Sequence, residues 1–262
     1  GYYYIDKSGL IGELLRAGAE VTLITRPRRF GKTLGMSMLE KFFDIRKDSR
    51  ELFEGLEISE RQDLCSKWMN QWPTVFLSLK SVEGLNFEGA YQQLVYEISL
   101  LYQKHDYLLE STALSEQDKF LFKQLRNRQS EKTDVMRSLQ LLTRLLEQHY
   151  NKKVILLIDE YDVPVAKANN HGYYNEMLDV MKGLMQALKD NTSLRFAVIT
   201  GCLRIAKESI FTGTNNFVSD TITDSRLSEY FGFMQREVDQ ILKDGDIEDK
   251  ADSIKEWYDG YH

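Results

Sequence analysis

Two short stretches carry residue types that could handle a polyphosphate. The first is TRPRRFGKTL, Thr25 to Leu34. A phosphate-binding loop follows the pattern G-x-x-x-x-G-K-[ST]: backbone N–H groups cradle the phosphates, the lysine reaches the outer ones and the hydroxyl ligates Mg²⁺. Gly31, Lys32 and Thr33 supply the second half of that pattern, and Arg26 stands where its first glycine belongs. Arg28, Arg29, Phe30 and Leu34 complete the candidate nucleotide-binding segment. A glycine at the entrance permits an unusual backbone angle. Arginine followed by Pro27 favours an extended entry, with fewer N–H groups near the β-phosphate. Arg28 or Arg29 could compensate with charge, although a solvated basic turn explains them equally well.

The second stretch is VILLIDEYD, an apolar run closed by Asp159 and Glu160. A carboxylate at the carboxyl end of a buried parallel strand faces the crevice where α/β folds take ligands. Asp159 is the candidate Mg²⁺ ligand beside Thr33, and Glu160 the candidate base that orients or deprotonates an attacking water. Acids that merely open a solvated loop are the competing reading. A third element closes LRFAVITGCLR: Thr200, at the tip of an apolar strand, could touch a γ-phosphate or the attacking water, or simply cap the next turn. Arg204 could offer charge to phosphate, in competition with Arg28, Arg29, Arg195 and Arg226.

The elements that must position these residues are legible in the hydrophobic pattern. EVTLIT reads as a short strand before the loop, and KTLGMSMLEKFFDI as a helix after it. TVFLSLK (Thr74 to Lys80), KVILLIDEYD and LRFAVITG read as further strands, the last two apolar enough to be buried on both faces of a parallel sheet. From Phe87 to Tyr150 the pattern is mostly helical, broken by QDKFLFKQLRNRQSEKTD. Within it DVMRSLQLLTRLLEQHY sets Val135, Leu139, Leu142 and Leu146 on one stripe. YYNEMLDVMKGLMQALKD fits one more helix. Strands alternating with helices predict an α/β three-layer sandwich with a mainly parallel sheet. The expected organisation is a core over residues 1–230, with a helical insertion at about 86–150, and the start of a small helical subdomain over 231–262.

Composition narrows the classes. The 262 residues are 42% hydrophobic and 28% charged, a globular balance rather than a disordered one. A net charge of −6 argues against a uniformly basic nucleic-acid coat, while leaving a local basic patch open. No apolar run approaches the roughly eighteen residues of a membrane span, and the opening lacks the charged-then-apolar pattern of a secretory leader. Cys65 and Cys202 stand in no metal or redox spacing, so a reducing, cytoplasmic setting is expected. KDGDIEDKADSIK has Asp249 and Lys255 where a calcium loop needs glycine and glutamate. Tyr2, Tyr3 and Tyr4 could pack near an adenine or cover the sheet edge.

Taken in order, YYIDKSGLI…VTLITRPRRFGKTLGMSMLEKFF, LLIDEYDVPV, GCLRIAKESIFTGTNNF, EYFGF and WYDGYH resemble the predicted AAA-ATPase-like family, P-loop ATPases that use an added catalytic glutamate. The resemblance covers nearly the whole chain. It implies ATP and Mg²⁺ as ligands and ATP hydrolysis as a switch or motor. Since related ATPases carry a similar arginine pair before G-K-T, it makes Arg26 a family habit rather than a lesion. It also implies a longer protein, because such chains commonly continue into a C-terminal nuclease-like domain. Self-association and nucleic acid are left open as partners. Two other readings stand beside the ATPase: a nucleotide-sensing scaffold that does not hydrolyse, and a DNA-associated regulator within a nuclease-containing protein.

Overall fold

A computed structural model of the chain describes residues 8–25, 32–201, 210 and 219–221, with the backbone alone for Thr25, for residues 32–35 and for 219–221. Five strands form one sheet: β1 (Val21–Thr25), β2 (Thr74–Ser78), β3 (Val154–Asp159), β4 (Leu194–Gly201) and β5 (Ser219–Thr221). Their spatial order is β2-β3-β4-β1-β5, and every pair is parallel. β4 therefore lies between β1 and β3.

β3 and the body of β4 are buried on both faces because they carry apolar residues without alternation. All six residues of β3 are buried. Its period of two sends Val154, Leu156 and Ile158 into one hydrophobic layer and Ile155 and Leu157 into the other. β4 divides in the same way, Ala197 and Ile199 to the first layer and Phe196 and Val198 to the second. That double burial requires helices on both sides, which gives the three layers.

One side is covered by α1 (Gly9–Ala17), α2 (Lys32–Phe43) and the short helices α3 (Arg50–Phe53) and α4 (Gln62–Trp68). α1 stops at Gly18, whose φ of +63° is left-handed and suits a residue without Cβ. The other side is covered by α5 (Phe87–Gln103), α6 (Glu116–Arg126), α7 (Lys132–Met136), α8 (Ser138–Tyr150), α9 (Val163–His171) and α10 (Tyr174–Leu184). Asn86 caps α5, its side chain accepting from Gly89 N–H at 2.9 Å, and Ser115 caps α6 by accepting from Asp118 N–H at 3.1 Å. Among the described residues no helix is long and apolar enough to cross a membrane.

The helices differ from the sequence expectation in several places. The segment expected to break the helical region contains α6 itself, amphipathic despite its charge. The single helix expected over DVMRSLQLLTRLLEQHY is two, α7 and α8, separated at Arg137 (φ −97°, ψ 3°), although Val135, Leu139, Leu142 and Leu146 are all buried on one stripe. The helix expected through Asp190 ends at Leu184 and tightens into a 3-10 turn over Met185–Leu188. Tyr2 to Tyr4 and the helical subdomain expected over 231–262 lie outside the described residues.

Candidate nucleotide site at the carboxyl edge of the sheet

Strand register brings the ends of four strands to one edge. Ser78 of β2 pairs with Asp159 of β3, Ile158 pairs with Ile199 of β4, and Thr200 and Gly201 pair with Ile24 and Thr25 of β1. β1 leads through residues 26–31 to α2, which begins at Lys32. β1 thus ends at the same edge as Asp159, with six residues between it and the start of α2. The amino terminus of such a helix favours anions through its unsatisfied N–H groups and its dipole.

At this edge the polar side chains are joined by hydrogen bonds. Asp159 and Thr200 are both wholly buried. Thr200 Oγ1 donates to Asp159 Oδ1 at 2.6 Å and accepts from Glu160 N–H at 3.3 Å. A hydroxyl has one proton and two lone pairs, so donating to a carboxylate and accepting from an amide uses it consistently. Ser78 Oγ sits 3.5 Å from Asp159 Oδ2, at the outer limit of a bond. The backbone is tied too: Leu79 N–H donates to Asp159 O at 2.9 Å, and Tyr161 N–H to Thr200 O at 3.0 Å.

Glu160 is half-buried and has φ +53°. A residue with a Cβ pays about 1–2 kcal/mol for the left-handed region. Strain of this kind persists where the surroundings over-determine it, and it concentrates at functional sites. Glu160 O accepts from Val163 N–H at 3.2 Å, which starts the turn into α9. Pro164 in the first turn of α9 fits there, because the first helical N–H groups have no intrahelical partner.

Of the residues singled out in the sequence, Asp159, Glu160 and Thr200 are brought together. Lys32, Thr33 and Leu34 open α2, described by their backbone; Arg28, Arg29, Phe30, Gly31 and Arg204 lie outside the described residues, as does Arg226. Arg195 is at the opposite end of β4, roughly 16 Å of strand from Thr200. Its guanidinium lies 4.8 Å over Trp68, so it cannot serve its own chain's site as the sequence allowed. Ser78 was missed, though the rule that found Thr200, a polar residue ending an apolar strand, also selects it.

The donor set suits a hard cation bound with phosphates. Mg²⁺ takes oxygen ligands and typically only one or two carboxylates, the rest coming from phosphate and water. Asp159 and neighbouring hydroxyls are oxygen donors of that type, and among the described residues no cluster of three or more His, Cys, Asp or Glu offers an all-protein cage. A cavity lined by Asp48, Arg50, Glu51, Glu54, Ser59, Cys65 and Met69 shares no residue with this edge. Its three carboxylates are the wrong sign for a polyphosphate.

A parallel sheet in which β4 separates the loop-bearing strand from the strand ending in a carboxylate, with helices on both faces, defines a P-loop NTPase-like sandwich. The chain belongs to the predicted AAA-ATPase family, whose model matches residues 1–211. It is 28% identical over 263 positions to an uncharacterized protein in the vnfD 5' region of Azotobacter chroococcum mcd 1, a match covering all of this chain and 45% of that protein. The chain thus spans less than half the length of that relative. No solved structure matches it.

Proposed function

We propose that the carboxyl edge binds ATP with Mg²⁺ and that the chain hydrolyses ATP, acting as a switch or motor. The observation that carries this reading is Asp159: a buried carboxylate ending a central strand, hydrogen-bonded to Thr200, at the edge from which the chain passes through G-K-T into α2. In this reading the segment Arg28 to Leu34 wraps the phosphates. Lys32 offsets charge on the outer phosphates, and Arg204 adds charge from beyond β4. Thr33 and Asp159 hold Mg²⁺, which supplies charge neutralisation when bound. Glu160 takes a proton from the attacking water as the water oxygen bonds to the γ-phosphorus. The bond from that phosphorus to the bridging oxygen breaks, releasing ADP and phosphate. Thr200 serves by holding Asp159 and the Glu160 backbone in register, since its hydroxyl is already engaged by both.

Calorimetric titration of Mg-ATP, combined with phosphate release, tests the reading on three proteins. Wild type should bind and turn over. Lys32→Ala should lose binding by at least about tenfold. Glu160→Gln should bind like wild type and turn over about 10²–10⁴-fold more slowly, the usual worth of a general base. Wild type that does not bind Mg-ATP overturns the proposal. Binding without turnover in wild type replaces it with a nucleotide-sensing scaffold.

A further inference from the structure

Glu160 adopts a backbone conformation that its own residue type disfavours, so something outside residue 160 must impose it. Two hydrogen bonds from the end of β4 account for part of this, one from Glu160 N–H to Thr200 Oγ1 and one from Tyr161 N–H to Thr200 O. A further constraint is steric, and it comes from the next residue on each side.

Tyr161 follows Glu160 directly, and its ring is wholly buried. Gly201 follows Thr200 directly, and the Tyr161 ring rests against it. A Cβ placed on Gly201 would overlap the ring at Cε1 and Cδ1, at 2.6 Å from the latter, and would approach Asp162 Oδ1 to 2.9 Å. Contacts that short are inaccessible to a real side chain, so only glycine lets the ring occupy this place. Gly201 is also the register partner of Thr25, the last residue of β1 before the loop segment. The ring is thus wedged where the β3 turn, the end of β4 and the end of β1 converge.

We propose that Gly201 and Tyr161 are positioning residues for hydrolysis: the Tyr161 ring, seated on Gly201, locks the left-handed backbone of Glu160 and so fixes the residue that takes the proton from water. The inference rests on the ATPase reading above. It assigns the pair no contact with ATP; the pair acts through Glu160. Filling the space at Gly201 therefore moves Glu160 while leaving the phosphate-binding segment and Asp159 competent.

The test is Gly201→Ala in the full chain, with Mg-ATP affinity by calorimetry and turnover by phosphate release on the same preparation. Affinity should stay within about threefold of wild type while kcat falls at least tenfold. Because both substitutions break the same lock, the double variant Gly201→Ala/Tyr161→Leu should lose no more turnover than the worse of the two single variants. If Gly201→Ala does not fold, Tyr161→Leu decides: kcat should fall at least tenfold with affinity retained. Gly201→Ala at wild-type kcat overturns the inference, as does parallel loss of affinity and turnover, or a double variant whose loss is the product of the two single losses. Each of those results is read against a wild type that binds and hydrolyses, so the ATPase reading survives them. A wild type that fails to hydrolyse removes both.

Discussion

The two ends of one sheet are built on opposite plans. At the amino edge, bulk closes the structure. Phe43, at the end of α2, meets Phe42, Trp68 and Phe196 edge-on with ring centroids 5.2, 6.0 and 5.4 Å away. Trp68 stacks on Trp72 at 5.1 Å. Arg195 lies over both indoles, Lys67 over Trp68 and Lys152 over Trp72. At the carboxyl edge the same strands end in Ser78, Asp159, Thr200 and Gly201, small or polar, tied by hydrogen bonds and carrying a strained glutamate. Aromatic packing at one end supplies stability. That stability can tolerate buried polar groups and a disfavoured backbone at the other, where chemistry needs them.

The comparison is sharpest when an amino-edge residue is removed. Phe43→Ala should cost about 3–5 kcal/mol of stability, the range for deleting a buried aromatic side chain, measured by guanidinium denaturation. Mg-ATP affinity and turnover of the folded protein should be unchanged. At the carboxyl edge Glu160→Gln should do the reverse, slowing turnover with a small change in stability. If Phe43→Ala slowed turnover of fully folded protein, the two edges would not be separable.

This division explains what the sequence made legible. Strands β1 to β4 were visible because apolar runs buried on both faces leave an uninterrupted signature: VILLID and LRFAVITG match the observed β3 and β4 closely. Asp159, Glu160 and Thr200 were visible because polar residues at the ends of such runs break the pattern. The elements between α2 and β2 gave no comparable signal: α3 has four residues, α4 seven, and a 3-10 turn joins them at Glu57–Glu60, each too short for a helical period. The break at Arg137 and the early end of α10 were hidden because the apolar stripe continues through them. Gly201 and Tyr161 were hidden for another reason. Their importance lies in a contact between chain segments 40 residues apart, seen only once β3 and β4 are in register.

A second test of the amino edge runs through pH. His105 is buried, sharing a hydrogen bond of 2.9 Å between Nδ1 and Tyr107 Oη. Burial first, then the charges of Arg46 and Lys104, push its pKa down to about 3. The folded imidazole thus stays neutral down to that pH, while the unfolded one takes up a proton near its ordinary value of about 6.5. Between those limits the unfolded state binds more protons, so this group lowers stability as pH falls, by up to about 1.4 kcal/mol per pH unit. His105→Gln should flatten the stability profile over that window, as followed by denaturation at a series of pH values. The pH dependence of turnover should not move, because His105 is packed with Tyr107 and Arg46 at the far edge.

The smallest effect belongs to neither edge. Arg144 of α8 donates to both carboxylate oxygens of Asp118 on α6, at 3.0 and 2.9 Å, and this pairing holds the Asp118 carboxyl below its usual range. A folded pKa lowered in this way adds stability above the unfolded carboxylate range and loses it as pH falls through the folded value. The Arg144 side chain is 45% exposed, however, so water and salt screen the attraction. Despite its two-pronged geometry the pair should be worth no more than about 1 kcal/mol. Arg144→Ala should therefore shift the denaturation midpoint only slightly, and the shift should shrink in high salt. A loss well above that, persisting in salt, would mean that the α6–α8 pairing is held by this contact rather than by the buried Phe122, Leu142 and Leu146. Stability would then reside in the crossover helices as much as in the aromatic edge.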